Sequence, residues 1–185
     1  MGVIHSMTRR LIIAGLCVLA LVSGASLLLF VPNPLGGKLI SAAKAQGYIA
    51  YTPDEAITLA YQRCSTCHSE NKMLLYCSRC GPPFVVVAHF MRRYVEITNR
   101  ANNGITVEPF TDAELAAITQ VWNGLIGNWE SDWPRQDLKK LLAGDEPLIR
   151  LLQTAPADRP IEAALRHRSA PGSYKEETNT TAPRS

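Results

Sequence analysis

"CSTCHSENKMLLYCSRCGPPF", residues 64–84, holds two Cys-x-x-Cys pairs, Cys64/Cys67 and Cys77/Cys80. His68 follows the first pair and Gly81 follows the second. Three chemistries fit the pairs alone: a prosthetic group attached through one pair with a disulfide beside it, a four-thiolate metal knot, or two independent redox pairs. The choice depends on the compartment and on what surrounds the stretch.

The compartment is read from the start of the 185-residue chain. Residues 11–32, "LIIAGLCVLALVSGASLLLFVP", carry no charge and are long enough to cross a bilayer as a helix. Arg9 and Arg10 precede them with no acid upstream, so residues 1–10 stay cytoplasmic and everything after residue 32 is exported. A cleaved signal peptide is the alternative, with an A-x-A pattern at Ala43 to Ala45. The apolar run is longer than a usual signal core and the pattern lies well beyond it, which favours a retained anchor. Cys17 lies inside the run and ends no lipobox, because Leu16 precedes it. The expected location is an inner membrane, single-pass, with the main domain on the periplasmic side.

Charge separates the two ends. Residues 1–45 contribute +4 of the total of +3, leaving the remainder at −1. A nearly neutral exported domain gives no case for nucleic acid as a partner. From Arg63 to Arg100 there are six basic residues and two acids, Glu70 and Glu96, which read as a solvated helix face or a docking patch.

"TPDEAITLAYQRC" opens with a helix start: Thr52 caps, Pro53 takes the first turn and Glu55 completes a capping box. Ile57, Ala60, Tyr61 and Cys64 then share one face, so the first cysteine pair ends an amphipathic helix. "FTDAELAAITQVWNGLIG" repeats the signal with Thr111 and Glu114 and lines one side with Leu115, Ile118, Trp122 and Leu125, stopping near Gly127 and Asn128. Between them "FVVVAHFMRRYVEITNR" reads as a third helix. At about 100° per residue Val87, Phe90, Met91 and Tyr94 cluster, and His89, Arg92, Arg93 and Glu96 fall on the other side, expected to face water. "VPNPLGGK" is linker punctuation.

Cys64-Ser65-Thr66-Cys67-His68 matches the signature for covalent attachment of a c-type haem. Two thiols three positions apart on a helical turn meet the two vinyl groups of one porphyrin, and the next residue offers its imidazole to the iron. Residues 50–127 resemble the single-domain c-type cytochromes, most specifically in "CSTCH" and in the closing "FTDAELAAITQVW". "GPPF" resembles that family's Gly-Pro turn, on which the haem-binding histidine leans. The resemblance implies one covalent haem c on Cys64 and Cys67, His68 as proximal ligand of the iron, and a methionine as sixth ligand. "ANNGITVEPF", just before the last helix, has no methionine. "VVVAHFMRR" fits the branch with a helical methionine, which makes Met91 the distal ligand; His89 and Met73 are the alternatives.

Cys77 and Cys80 lack a following histidine, and in an oxidising compartment two nearby thiols pair, so a Cys77–Cys80 disulfide is expected. A redox-active role for that bridge is the alternative. The whole chain then reads as all-α: linker 33–50, cytochrome c-like haem domain 51–127, helical extension 128–168 and disordered tail 169–185. Trp129 and Trp133 open the extension, either as anchors of an interface or as rings closing the haem pocket. The expected function is one-electron transfer rather than catalysis, with a membrane redox complex or a soluble electron carrier as partner and the bilayer held through residues 11–32. The competing readings are a four-cysteine zinc-binding module, and a haem enzyme or sensor whose sixth site opens.

Overall fold

The computed structural model describes residues 34–76, 80–101 and 104–181. The anchor expected at 11–32, together with Cys17 and Cys77, lies outside them. The chain divides into two compact units, Met1–Lys44 and Ala45–Ser185. The described part of the first, residues 34–44, lies in α1 (Pro34–Ala45). No helix among the described residues is long and apolar enough to cross a membrane.

The second unit is all-helical among its described residues. Its longer helices are α2 (Pro53–Ser65), α4 (Phe84–Arg100) and α5 (Asp112–Ile126), with the short α3 (Glu70–Leu74) between the first two. The chain continues as α6 (Arg135–Leu141), α7 (Glu146–Gln153), α8 (Pro160–Leu165) and α9 (Tyr174–Thr181). Both capping boxes form. Thr52 Oγ1 accepts from the Glu55 N–H at 3.4 Å while the Thr52 N–H donates to Glu55 Oε2 at 2.9 Å. Thr111 and Glu114 repeat the exchange at 3.2 and 3.0 Å. Each box satisfies two of the donors that a helix start leaves open.

Helix α5 is the axis of the unit and packs against α2, α4, α7 and α8. Leu115, Ile118, Trp122 and Leu125 are buried as their spacing implies. Thr119, Gln120 and Asn123 are buried as well, because the extension covers the side expected to face solvent. Most of those polar groups are met: Thr119 Oγ1 donates to the Leu115 carbonyl at 2.7 Å, Gln120 Oε1 accepts from the Ile161 N–H at 3.2 Å, and Asn123 Nδ2 donates to Glu130 at 3.0 Å and to Glu162 at 3.3 Å, while Asn123 Oδ1 meets no donor among the described residues. Gly124 admits α8 so closely that an added Cβ would lie 2.7 Å from Leu165 Cβ.

The extension closes over this surface around Arg159, which is 1% exposed. Its guanidinium donates to both oxygens of Glu130, at 2.9 and 2.6 Å, and to Glu162 at 2.9 Å. Trp129 is buried, stacks on Tyr76 at 5.9 Å and donates its indole N–H to the Gly81 carbonyl at 3.1 Å. This tryptophan therefore braces the chain beside the cysteine stretch from within, whereas Trp133 is half-buried. The expectation of a loose tail from residue 169 needs correction. Ala170 and Ser173 are buried, the Ala170 N–H reaches the Leu125 carbonyl, and Lys175 Nζ donates to the carbonyls of Gly124 and Arg168. The tail's polarity misleads because, beside the small apolar Ala170, its contacts run through backbone carbonyls and one ammonium.

Candidate functional site

The backbone of α2 does not stop at its last residue. The N–H groups of Cys67 and His68 both reach the Cys64 carbonyl, at 3.2 and 3.1 Å. This turn holds Cys64, Cys67 and His68 together at the edge of a cleft of about 530 Å³. Lys72 of α3 and Arg63 of α2 border it on the same side. Helix α4 supplies a second wall with Val87, Phe90, Met91, Tyr94 and Val95, and Phe110 contributes from the segment before α5. The lining is largely apolar. Phe90 and Tyr94 stand 55% and 71% exposed, so much of that apolar surface is open to an occupant.

The two thiols are both free and differ in setting: Cys64 is buried and Cys67 exposed. Burial pushes the Cys64 thiol above its ordinary pKa; the Trp122 indole and Arg63 pull it partly back, and Cys67 adds to the rise. Trp122 is wholly buried, 5.2 Å from the Tyr61 ring, and its N–H meets no acceptor at normal hydrogen-bond geometry among the described residues. The Cys64 sulfur is the group that feels it.

Arg63 is a structural staple, not a solvated charge. It donates to the Glu108 and Pro109 carbonyls at 2.7 and 2.9 Å and to Glu108 Oε2 at 3.2 Å, with its guanidinium 4.6 Å from the Phe110 ring centre. The staple fixes Phe110 at the cleft. Farther along, Asn99 makes a two-way bond with the Val107 backbone at 2.8 and 2.9 Å, tying the end of α4 to the same segment.

Of the sequence-predicted site residues, Cys64, Cys67, His68 and Met91 line one cleft. Met73 is buried in the hydrophobic core and does not line it. Cys80 is disulfide-bonded and exposed; its expected partner, Cys77, lies outside the described residues. The Pro82 carbonyl accepts from the Tyr76 hydroxyl at 3.0 Å.

His89 corrects the expectation that its face meets water. It is 7% exposed, and its Nδ1 lies 3.1 Å from Asp145 Oδ2. Arg92 joins the same carboxylate, its Nη1 donating to Asp145 Oδ1 at 3.2 Å and its Nη2 to Asp112 at 2.8 Å. The helical phase that separates His89 from Met91 holds, but the side with His89 and Arg92 packs against the extension, while the side with Met91 borders the open cleft. Arg93 and Arg100 remain exposed. Asp145, Val95 and Phe110 are the site neighbours that sequence reasoning missed. Asp145 lies 56 positions from His89, and nothing local in "AGDEP" marks it as a buried partner.

Compared with protein-family models, with curated proteins and with solved structures, the chain matches none.

Proposed function

We propose that the cleft holds one covalently attached haem c and that the protein is a one-electron carrier. The observation that carries this reading is the convergence on one apolar cleft of two free thiols three positions apart, the adjacent imidazole of His68 and the thioether of Met91. Cys64 and Cys67 are the attachment thiols, and His68 and Met91 the iron ligands. The cleft's size suits a flat, largely apolar group. His89 is turned away on Asp145 and Met73 is in the core, which supports Met91 over either alternative. When bound, the haem supplies an iron that changes oxidation state by one electron, and a thioether ligand raises its potential. The residues of this chain hold the group, exclude water from one side through Val87, Val95 and Phe110, and leave Phe90 and Tyr94 at the open edge.

The zinc reading requires four thiolates, and Cys80 is already oxidised in a disulfide. Among the described residues no three His, Cys, Asp or Glu side chains are arranged to hold a metal ion. An enzyme or sensor with an open sixth site would need polar groups over the iron. Among the described residues the cleft is bordered by no acid, and its basic members are Arg63, His68 and Lys72. The inner-membrane, periplasm-facing location and the redox partner in or near the membrane rest on residues 1–32 and belong to the same proposal.

A spectroelectrochemical titration of the full chain, expressed with a haem-attachment system, tests the function. The expected result is a reversible one-electron curve with no carbon monoxide binding by the reduced protein. Ready binding of carbon monoxide would move the reading to the enzyme or sensor class.

A further inference from the structure

We propose that Asp145, in the extension, is a positioning residue for Met91: one buried carboxylate ties down two residues of α4 that flank the methionine and so fixes the rotation at which the thioether enters the cleft. The inference rests on the haem reading above. Asp145 is 1% exposed, and its oxygens are divided between His89 Nδ1 at 3.1 Å and Arg92 Nη1 at 3.2 Å. At about 100° per residue His89 and Arg92 lie roughly 160° and 100° around the same side of the helix from Met91, about 60° apart, so the two bonds pin one stripe of α4 on the side away from the cleft.

The carboxylate is itself held. Its own N–H reaches the Leu142 carbonyl at 2.9 Å, and its carbonyl accepts the first bond of α7, from the Ile149 N–H, at 3.0 Å. Leu142 and Leu148 on either side are fully buried. Gly144 turns the chain at φ +82°, and a Cβ there would meet Arg93 Nη2 at 3.4 Å. The extension therefore approaches α4 backbone-first at this point.

Small rotations matter. A side-chain atom about 5–6 Å from the helix axis moves about 1 Å for each 10° of turn. Metal–ligand distances tolerate about 0.2 Å. The ends of α4 are fastened elsewhere, by buried Phe84 and by Asn99 on Val107; at the ligand's own level Asp145 acts together with the Arg92–Asp112 ion pair and buried Ala88 and Val95, and it is the group that holds both His89 and Arg92. A charge-assisted hydrogen bond across a buried interface has the strength for this task.

The test uses the full-length holoprotein and four readouts: covalent haem, the thioether–iron absorption band, the midpoint potential, and carbon monoxide affinity of the reduced form. Asp145→Ala is expected to keep covalent haem, weaken the band, lower the potential and raise carbon monoxide affinity by about tenfold, the scale of one lost charged hydrogen bond. Asp145→Asn, which keeps the shape, should fall between the two. Glu162→Gln, in the buried network around Arg159, is the control for general loosening and should lower thermal stability without moving band, potential or affinity. Should Asp145→Ala fail to accumulate as holoprotein, Asp145→Asn and His89→Gln carry the test. Wild-type band, potential and affinity in the folded Asp145 and His89 variants would overturn the proposal, as would equal shifts in Glu162→Gln. Failure of the haem reading looks different: no covalent haem in the unaltered chain, or a Met91→Ala protein with the band intact.

Discussion

Met91 and Met73 are both neutral sulfur donors within a short reach of His68 along the chain, and they have different surroundings. Met91 borders the cleft with Val87 and Val95, whereas Met73 is buried in the core and contributes only packing. Met91→Ala should therefore remove the thioether–iron band, lower the midpoint potential and open the iron to carbon monoxide, because a thioether favours the reduced metal. Met73→Ala should cost about 2–5 kcal/mol of stability, the usual range for a buried methionine, and leave the band in place. Denaturant melts and visible spectra of the two variants check this; a lost band in Met73→Ala with the band kept in Met91→Ala would reverse the assignment. The residues proposed to hold the haem are legible because their chemistry is local: three of the four, Cys64, Cys67 and His68, fall within five consecutive positions. His89 is not, because helical phase shows which side chains share a face and says nothing about which faces find a cover. The acid that covers this one is contributed from 56 positions away.

At the scale of elements, helix starts are the most readable feature. Thr52 and Thr111 each stand three residues before a glutamate, and the hydrogen bonds that follow need no tertiary partner. α4 is legible over Phe84–Arg100 despite its β-branched residues, since its apolar period is long and unbroken. The full burial of α5 is less legible. Its apolar stripe marks one buried side, while Gln120 and Asn123 mark the other only through partners on later segments, and Thr119 turns its hydroxyl back to the Leu115 carbonyl of its own helix. Gly124 is the clearest case: in sequence it looks like a weak point in a helix, and in the fold it is the contact with α8. Gly124→Ala gains helix propensity of up to about 1 kcal/mol. The added Cβ would meet Leu165 at 2.7 Å, so α5 and α8 must part. Overpacking of this kind costs about 1–3 kcal/mol, and the net effect expected is a lower melting temperature. An unchanged or raised value would show that α8 yields freely.

Over the whole molecule, the extension contributes a buried ionic cluster that the described helices before it lack. Arg159 sits between Glu130 and Glu162 with all three side chains almost wholly buried, which leaves two carboxylates facing one guanidinium. Arg159→Leu removes the positive member and strands the acids, at an expected cost of about 3–5 kcal/mol. Replacing all three with apolar residues of similar volume should restore much of that loss, since a buried ionic cluster is costly to break and cheap to exchange as a unit. Chemical denaturation of the single and triple variants measures both; a single variant as stable as the parent would show the cluster to be idle. The proposed electron transfer depends on one covalent event at the turn that ends α2. Its most direct measurement is the haem that remains bound to the denatured polypeptide, in the full chain and in the Cys64→Ala/Cys67→Ala variant, each expressed with a haem-attachment system. One haem per chain in the first and none in the second is the expected result. A parent chain without covalent haem, or haem still attached after both thiols are gone, would contradict the account.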